Sequence, residues 1–248
     1  LVMHIPPIVS QQDWDAAREQ LLVKEKSAMR AHDALAAERR LEEVTRELFP
    51  GYHIEAITNG VHTREWVASP IARLYDRYIA GWRADAYNLR YALSIPADEL
   101  WQAHQAMKQE LCRYVHTVHP SVTFDPQVFT IGFARRATAY KRGNILFRDI
   151  ERLKRIAEKS NGIQIVYAGK AHPDDREGKL MMQDIIRIMG ALAGTKVKCV
   201  YLPNYDMALA KLLVAGVDLW LNTPVRPMEA SGTSGMKAAG KARAPPSR

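Results

Sequence analysis

Hydrophobic and polar positions change rhythm twice along the chain. Residues 13–47 set Trp14, Leu21, Leu22, Met29, Leu35 and Leu41 at helical spacing among many charges, which predicts one long helix. Ser10 is placed to cap it, with Asp13 at the capping-box position. From Pro50 to Trp66 the pattern is irregular, and then helical again. Pro96 followed by Asp98 and Glu99 predicts a helix that starts there and reaches about His119.

From residue 128 onward the pattern is regular. Val128–Ala134, Ile163–Ala168, Val197–Leu202 and Val217–Leu221 are short apolar runs that predict strands. Between them, Tyr140–Lys159, Asp174–Leu192 and Met207–Val214 predict helices, and a Gly/Ser-rich turn leads into Met236-Lys237. Strands that are apolar throughout, rather than alternating, belong to a parallel sheet covered on both faces. The fold class is α/β, and in such a sheet ligands collect at the carboxyl ends of the strands. The stripe of Met181, Met182, Ile185, Ile186 and Met189 is expected in the core.

Composition changes this picture little. The 248 residues are 47% hydrophobic and 25% charged, as in an ordinary soluble domain. No apolar run approaches the roughly 18 residues that span a bilayer, and the start has no charged-then-apolar leader, so a cytoplasmic protein without membrane attachment is expected. Cys112 and Cys199 lie far apart with no CxxC, which predicts free thiols. His116 and His119 have no further ligands nearby, and no metal site is predicted. Trp66, Trp82 and Trp101 are expected to pack rather than to bind sugar.

Charge changes the picture more. The net charge of +8 asks for anionic partners. Much of it sits in Arg135, Arg136, Lys141 and Arg142 and in a tail with Lys241, Arg243 and Arg248, with no aromatic side chains interleaved to stack bases. A compact phosphate site therefore fits better than nucleic acid. The first four cations fall at the end of the first strand, where they would repel one another unless anions lie between them. A solvated basic face is the alternative. Gly169-Lys170 follows the second strand and is a weak signal by itself. Tyr205, after the third, can face a flat cofactor or simply pack. After the fourth, Glu229-Ala230-Ser231-Gly232-Thr233-Ser234-Gly235-Met236-Lys237 can fold small residues around an anion, with a desolvated lysine suited to imine formation. Composition alone also allows a plain loop with a surface lysine.

Several of these runs are specific in combination. Ile57-Thr58-Asn59-Gly60-Val61-His62, Gly81-Trp82-Arg83, Ala134–Arg142, Gly169–Pro173, Asn204-Tyr205 and Glu229–Lys237 occur in this order in α-glucan (glycogen, starch, maltodextrin) phosphorylases. The chain resembles the shorter bacterial type over about residues 42–239. The resemblance implies a Rossmann-like sheet of a two-lobed (GT-B type) glycosyltransferase, with pyridoxal 5'-phosphate held by Lys237 as a Schiff base. It also implies that Tyr205 packs on the cofactor ring, while Arg135, Thr233 and Ser234 hold its phosphate. Arg136 and Lys141 are implied to bind the substrate phosphate. Asn59, Glu229, Ser231 and Gly232 are implied to bind the glucosyl hydroxyls. The implied reaction converts a 1,4-α-glucan and inorganic phosphate to glucose 1-phosphate with retained configuration, the cofactor's phosphate taking part in proton transfer. No nucleic acid or membrane partner is implied, and a homo-oligomer remains open.

Departures from the family pattern shape the domain reading. Residues 1–41 form a helical segment foreign to the family, and 1–40 resemble the N-terminal helix of an uncharacterised thioredoxin-like family. Residues 42–125 are read as the connection ending the N-terminal lobe, 126–239 as the cofactor-binding lobe, cut through its sheet, and 240–248 as an irregular tail resembling a frameshift scar. Most of the N-terminal lobe, with its glycine-rich loop, is missing from this pattern. The chain is therefore expected to be an incomplete, weakly active or inactive form. Two other readings stay open: a nucleotide-sugar-dependent glucan glycosyltransferase, which needs no Schiff-base lysine and would be colourless, and a non-catalytic fragment that only pairs with partners.

Overall fold

The computed structural model describes residues 42, 45–47, 49–55, 59–225, 228–229 and 232–240. The long helix expected over 13–47 lies almost wholly outside them, with its cap. The chain divides into two units after Asn59, and the fold below is that of the second.

Its order begins with α1 (Thr63–Trp66), α2 (Ser69–Tyr78), a 3-10 stretch over Ala86–Ser94 and α3 (Ala97–Val118). There follow β1 (Thr130–Ala134), 3-10 turns at Ala139–Lys141 and Ile145–Phe147, α4 (Ile150–Lys159), β2 (Ile163–Ala168) and α5 (Arg176–Ala191). Then come β3 (Val197–Leu202), α6 (Met207–Gly216), β4 (Leu219–Trp220) and α7 (Thr233–Ala239). All strand pairs are parallel, in the order β3-β2-β1-β4.

β1 and β2 are buried at every position on both faces, which is why they are almost wholly apolar, whereas β3 exposes Lys198 and β4 is only partly covered. Val166, Ala168, Val200 and Leu202 face α3 and α6 through Leu111, Val115, Leu209 and Leu213. Ile165, Tyr167, Phe133 and Val197 face α4 and α5 through Leu153, Ala157 and Ile185. The first half of α3 joins α2 in a third cluster around Tyr75, Trp82, Leu100 and Met107. Cys112 is buried and Cys199 half-buried, both as free thiols. Of the methionine stripe, Met181 and Met189 reach the core, whereas Ile186 is 50% exposed, a correction to the expected core face. No described helix is long and apolar enough to cross a membrane.

The helices start where acidic side chains satisfy free backbone N–H groups. Asp149, Asp175 and Asp206 accept from the N–H groups of Arg152, Gly178 and Leu209 at 2.8, 2.7 and 2.8 Å. At α3, Pro96 precedes the helix and Asp98 and Glu99 occupy its first turn, where acids complement the dipole. The helix expected over Tyr140–Lys159 is instead two 3-10 turns followed by α4. Arg142 takes a left-handed conformation (φ 48°), which no continuous helix tolerates, and Asp149 restarts the helix by capping it. Asp149→Ala should therefore cost about 1 kcal/mol of stability in a denaturant titration, with the fold unchanged. The last strand is shorter than expected, only Leu219 and Trp220, paired with β1 alone.

Beneath the sheet, at the amino ends of its strands, lies a buried charge network that the strand pattern did not announce. Asp218 meets His104 Nε2 at 2.7 Å and accepts from Lys108 Nζ at 2.5 Å and from the Thr130 N–H at 2.7 Å. Lys108 also donates to the Val128 carbonyl at 2.7 Å. The one sequence signal for it is that Lys108 falls on the apolar stripe of α3, between Met107 and Leu111.

Candidate active site

At the carboxyl edge of the sheet the loops after β1 and β2 stay paired beyond the strands. The Arg135 N–H donates to Ala168 O at 3.2 Å, and the Ala137 N–H to Lys170 O at 3.0 Å. Gly169 makes this approach possible. It has φ +148°, and a Cβ there would lie 2.0 Å from the Arg135 carbonyl oxygen. The effect is to seat Arg135 in the interior, 8% exposed.

The loop after β1 is then laced to the chain leaving β4. Arg142 donates from Nε to Thr223 O at 2.7 Å and from Nη2 to Pro224 O at 3.2 Å. The Val225 N–H donates to Tyr140 O at 2.8 Å, and Thr223 Oγ1 to Lys141 O at 3.3 Å. This lacing accounts for the left-handed turn at Arg142, and it brings Glu229 between two cations. Arg135 Nη2 donates to Glu229 Oε1, and Lys141 Nζ lies 3.4 Å from Oε2. The three side chains are 5%, 9% and 11% exposed for Arg135, Lys141 and Glu229.

Two cations against one carboxylate leave positive charge in a desolvated place, where it acts more strongly than in water. Arg135 Nη1, Thr138 Oγ1 and Ser234 Oγ are all buried without a hydrogen-bond partner among the described residues. Buried polar atoms left unpaired are costly, so an arrangement that keeps them is suited to an incoming acceptor. Arg136, next in sequence, is exposed.

Tyr205 is half-buried against the core beside α6, after Asn204 in a left-handed conformation (φ 55°). Burial pushes its phenol up, while the charge of nearby Arg135 pulls the other way. Gly232 precedes α7, and a Cβ there would lie 2.4 Å from Asn222 Nδ2, so the loop closes against the chain leaving β4. Thr233 and Ser234 form the first turn of α7, and Lys237 lies one turn on. Burial pushes the Lys237 ammonium down from the usual lysine range. Its Nζ sits 3.8 Å from the centroid of the Trp66 ring, a cation–π contact.

Of the residues singled out in the sequence, the structure thus brings Arg135, Lys141 and Glu229 together, with Tyr205 beside Arg135. Lys237 turns toward Trp66. Asn59 is exposed in the first unit, and Ser231 lies outside the described residues. Sequence reasoning missed Asn222 and the lacing role of Arg142, and it took Trp66 as a packing residue only. No spacing rule would have found Arg142 or Trp66, since each meets a residue far away in sequence.

The family described as carbohydrate phosphorylase matches residues 28–241. A maltodextrin phosphorylase of Thermococcus litoralis is 41% identical over 75% of this chain and 24% of its own length. Glycogen phosphorylases of Aquifex aeolicus and Mycobacterium tuberculosis are 38% and 36% identical over 75% and 78% of this chain, and 30% and 25% of their own lengths. The chain therefore spans 24–30% of the length of these relatives. With a family match across most of its length, the chain belongs to the carbohydrate phosphorylase family.

Proposed function

We propose that this chain is the cofactor-binding lobe of a two-lobed, cytoplasmic α-glucan phosphorylase, which converts a 1,4-α-glucan and inorganic phosphate to glucose 1-phosphate. The observation that carries the reading is the buried pair Arg135 and Lys141 sharing one carboxylate at the carboxyl edge of a parallel sheet. Two phosphates side by side, one from a cofactor and one from substrate, need such a concentration of fixed cations.

The residues present fit pyridoxal 5'-phosphate. Arg135 Nη1 and Ser234 Oγ, both unpartnered among the described residues, would supply donors for its phosphate, and Thr233, in the same turn of α7, would add its hydroxyl. Tyr205 offers an aromatic face, and Lys237, one turn into α7, is the amine that would carry an aldehyde. When bound, the cofactor supplies a phosphate group for proton transfer. Arg136 and Lys141 would hold the substrate phosphate in line with the sugar, where it protonates the glycosidic oxygen as the bond breaks. Glu229, Ser231 and Gly232 would orient the sugar through its hydroxyls, which confines the reacting carbon to one approach. Residues 126–239 form this lobe in our reading, 42–125 the end of the other, and residues 1–41 stand outside the sugar chemistry.

The test is direct. Incubation with pyridoxal 5'-phosphate, reduction with borohydride and peptide mapping should place the adduct on Lys237. An adduct on Lys141 or Lys170 instead rejects the assignment.

A further inference from the structure

Glu229 stands in an unusual position for a residue that the reading above assigns to sugar hydroxyls. Both of its oxygens are engaged by cations, Oε1 by Arg135 Nη2 and Oε2 by Lys141 Nζ at 3.4 Å. The second contact is at the long limit for a hydrogen bond, so Lys141 is incompletely satisfied. Arg135 keeps Nη1 buried and unpartnered among the described residues. A carboxylate brings one negative charge and two oxygens in a plane. A phosphoryl group brings nearly two charges and three oxygens in a tetrahedral array, which matches this set of donors better. A donor given to Glu229 is not open to a phosphoryl oxygen, so the two anions compete for Arg135 Nη2 and Lys141 Nζ.

We propose that Glu229 is an internal stand-in for a phosphoryl group: it occupies the Arg135–Lys141 cradle, competes with any phosphoryl group for the same donors, and is displaced when one binds. The contact has two consequences. It neutralises part of the charge of two buried cations, which would otherwise destabilise the closed loop. It also sets a threshold that an anion must exceed before it enters. A displaced Glu229 becomes a free acceptor, so phosphoryl binding and the release of this carboxylate are coupled, and by linkage the coupling is reciprocal. That such a freed acceptor then takes sugar hydroxyls rests on the function proposed above. The competition itself does not.

Titration of inorganic phosphate into the full chain, followed by calorimetry, tests the competition. Glu229→Gln keeps the shape and removes the competing charge, and it should bind phosphate on the order of tenfold more tightly than the parent. Glu229→Asp keeps the charge but withdraws it by one methylene, and it should show a smaller gain in the same direction. It also serves if the glutamine variant does not fold. Loading of pyridoxal and of pyridoxal 5'-phosphate can be compared in parallel, and only the phosphorylated aldehyde should gain. Phosphate affinity that is unchanged or weaker in both folded variants, or undetectable in all three proteins, overturns the proposal. Tighter phosphate binding with no aldehyde on Lys237 upholds it while removing the cofactor reading.

Discussion

Lys108→Ala should lower the stability of this protein by about 3–5 kcal/mol, the cost of leaving a buried charge without its partner. Lys108 is 2% exposed and is held by Asp218 and the Val128 carbonyl. Removing its ammonium leaves Asp218 with the Thr130 N–H and His104 in a poorly solvated place. For a chain of this size that loss should lower Tm by on the order of 10 °C. The double variant Lys108→Met with Asp218→Asn should lose less than Lys108→Met alone, because no charge is then stranded. A double variant as unstable as the single one would show that packing, not charge, holds this corner. Burial alone would raise the Asp218 carboxyl, but hydrogen bonds from His104, Lys108 and Thr130 and the charge of Lys108 outweigh it and hold it below the usual aspartate range. A group whose folded pKa is depressed stabilises fully above its unfolded value, near 4, and loses that contribution as pH falls through the folded value. Acid unfolding should accordingly show an Asp218-dependent component below about pH 4 that is absent in Asp218→Asn.

Gly169→Ala should cost on the order of 3 kcal/mol and, at the same time, dismantle the Arg135–Glu229–Lys141 cluster proposed above to take a phosphoryl group. The new methyl would meet a backbone carbonyl, that of Arg135, at 2.0 Å, and a backbone atom cannot swing aside as a side chain can. Relief requires the loops after β1 and β2 to part, which breaks the pairing of Ala137 with Lys170 and moves Arg135 away from Glu229. Gly194→Ala is the matching control. Gly194 also has a positive φ, +80°, but nothing lies within 4 Å of its added Cβ, so only the left-handed backbone cost of about 1–2 kcal/mol applies. Chemical denaturation of both variants, together with phosphate titration, separates the two effects. Gly169→Ala should lose phosphate binding, whereas Gly194→Ala should keep it. Equal behaviour of the two would show that close approach at Gly169 is not what builds the site.

Much of the sheet could be read from periodicity. The runs Ile163–Ala168 and Val197–Leu202 become β2 and β3 end to end, because strands of a covered parallel sheet are mostly apolar; Gln164, buried on hydrogen bonds, and the exposed Lys198 are the exceptions. The helix after Pro96 was equally legible, since Pro and two acids mark a start and the apolar stripe marks a length. Where the reading failed, a contact distant in sequence overruled a local preference. Tyr140–Lys159 has the composition of a helix, yet Arg142 gives up helical geometry to bind Thr223 and Pro224, more than 80 residues on. The fourth strand pairs with β1 over Leu219 and Trp220 alone, although the apolar run in its sequence is longer.

The sequence by itself determined the α/β class, the edge of the sheet where chemistry would collect, and the identity of the cations, the carboxylate and the lysine available there. Such features are local: burial on a strand or helix face dictates residue type with a fixed period, and a parallel sheet exposes its strand ends on one side. Only the tertiary structure decided who meets whom. Arg135 and Glu229 are 94 positions apart, and Lys108 and Asp218 are 110 apart. Their pairing depends on the strand order β3-β2-β1-β4, which sets β4 beside β1 and so brings the chain flanking one strand against that flanking the other. Charges carry no periodicity that records a distant partner. Their partners are chosen when the sheet closes and water leaves, because a buried charge must then take whichever opposite charge the topology has placed within reach.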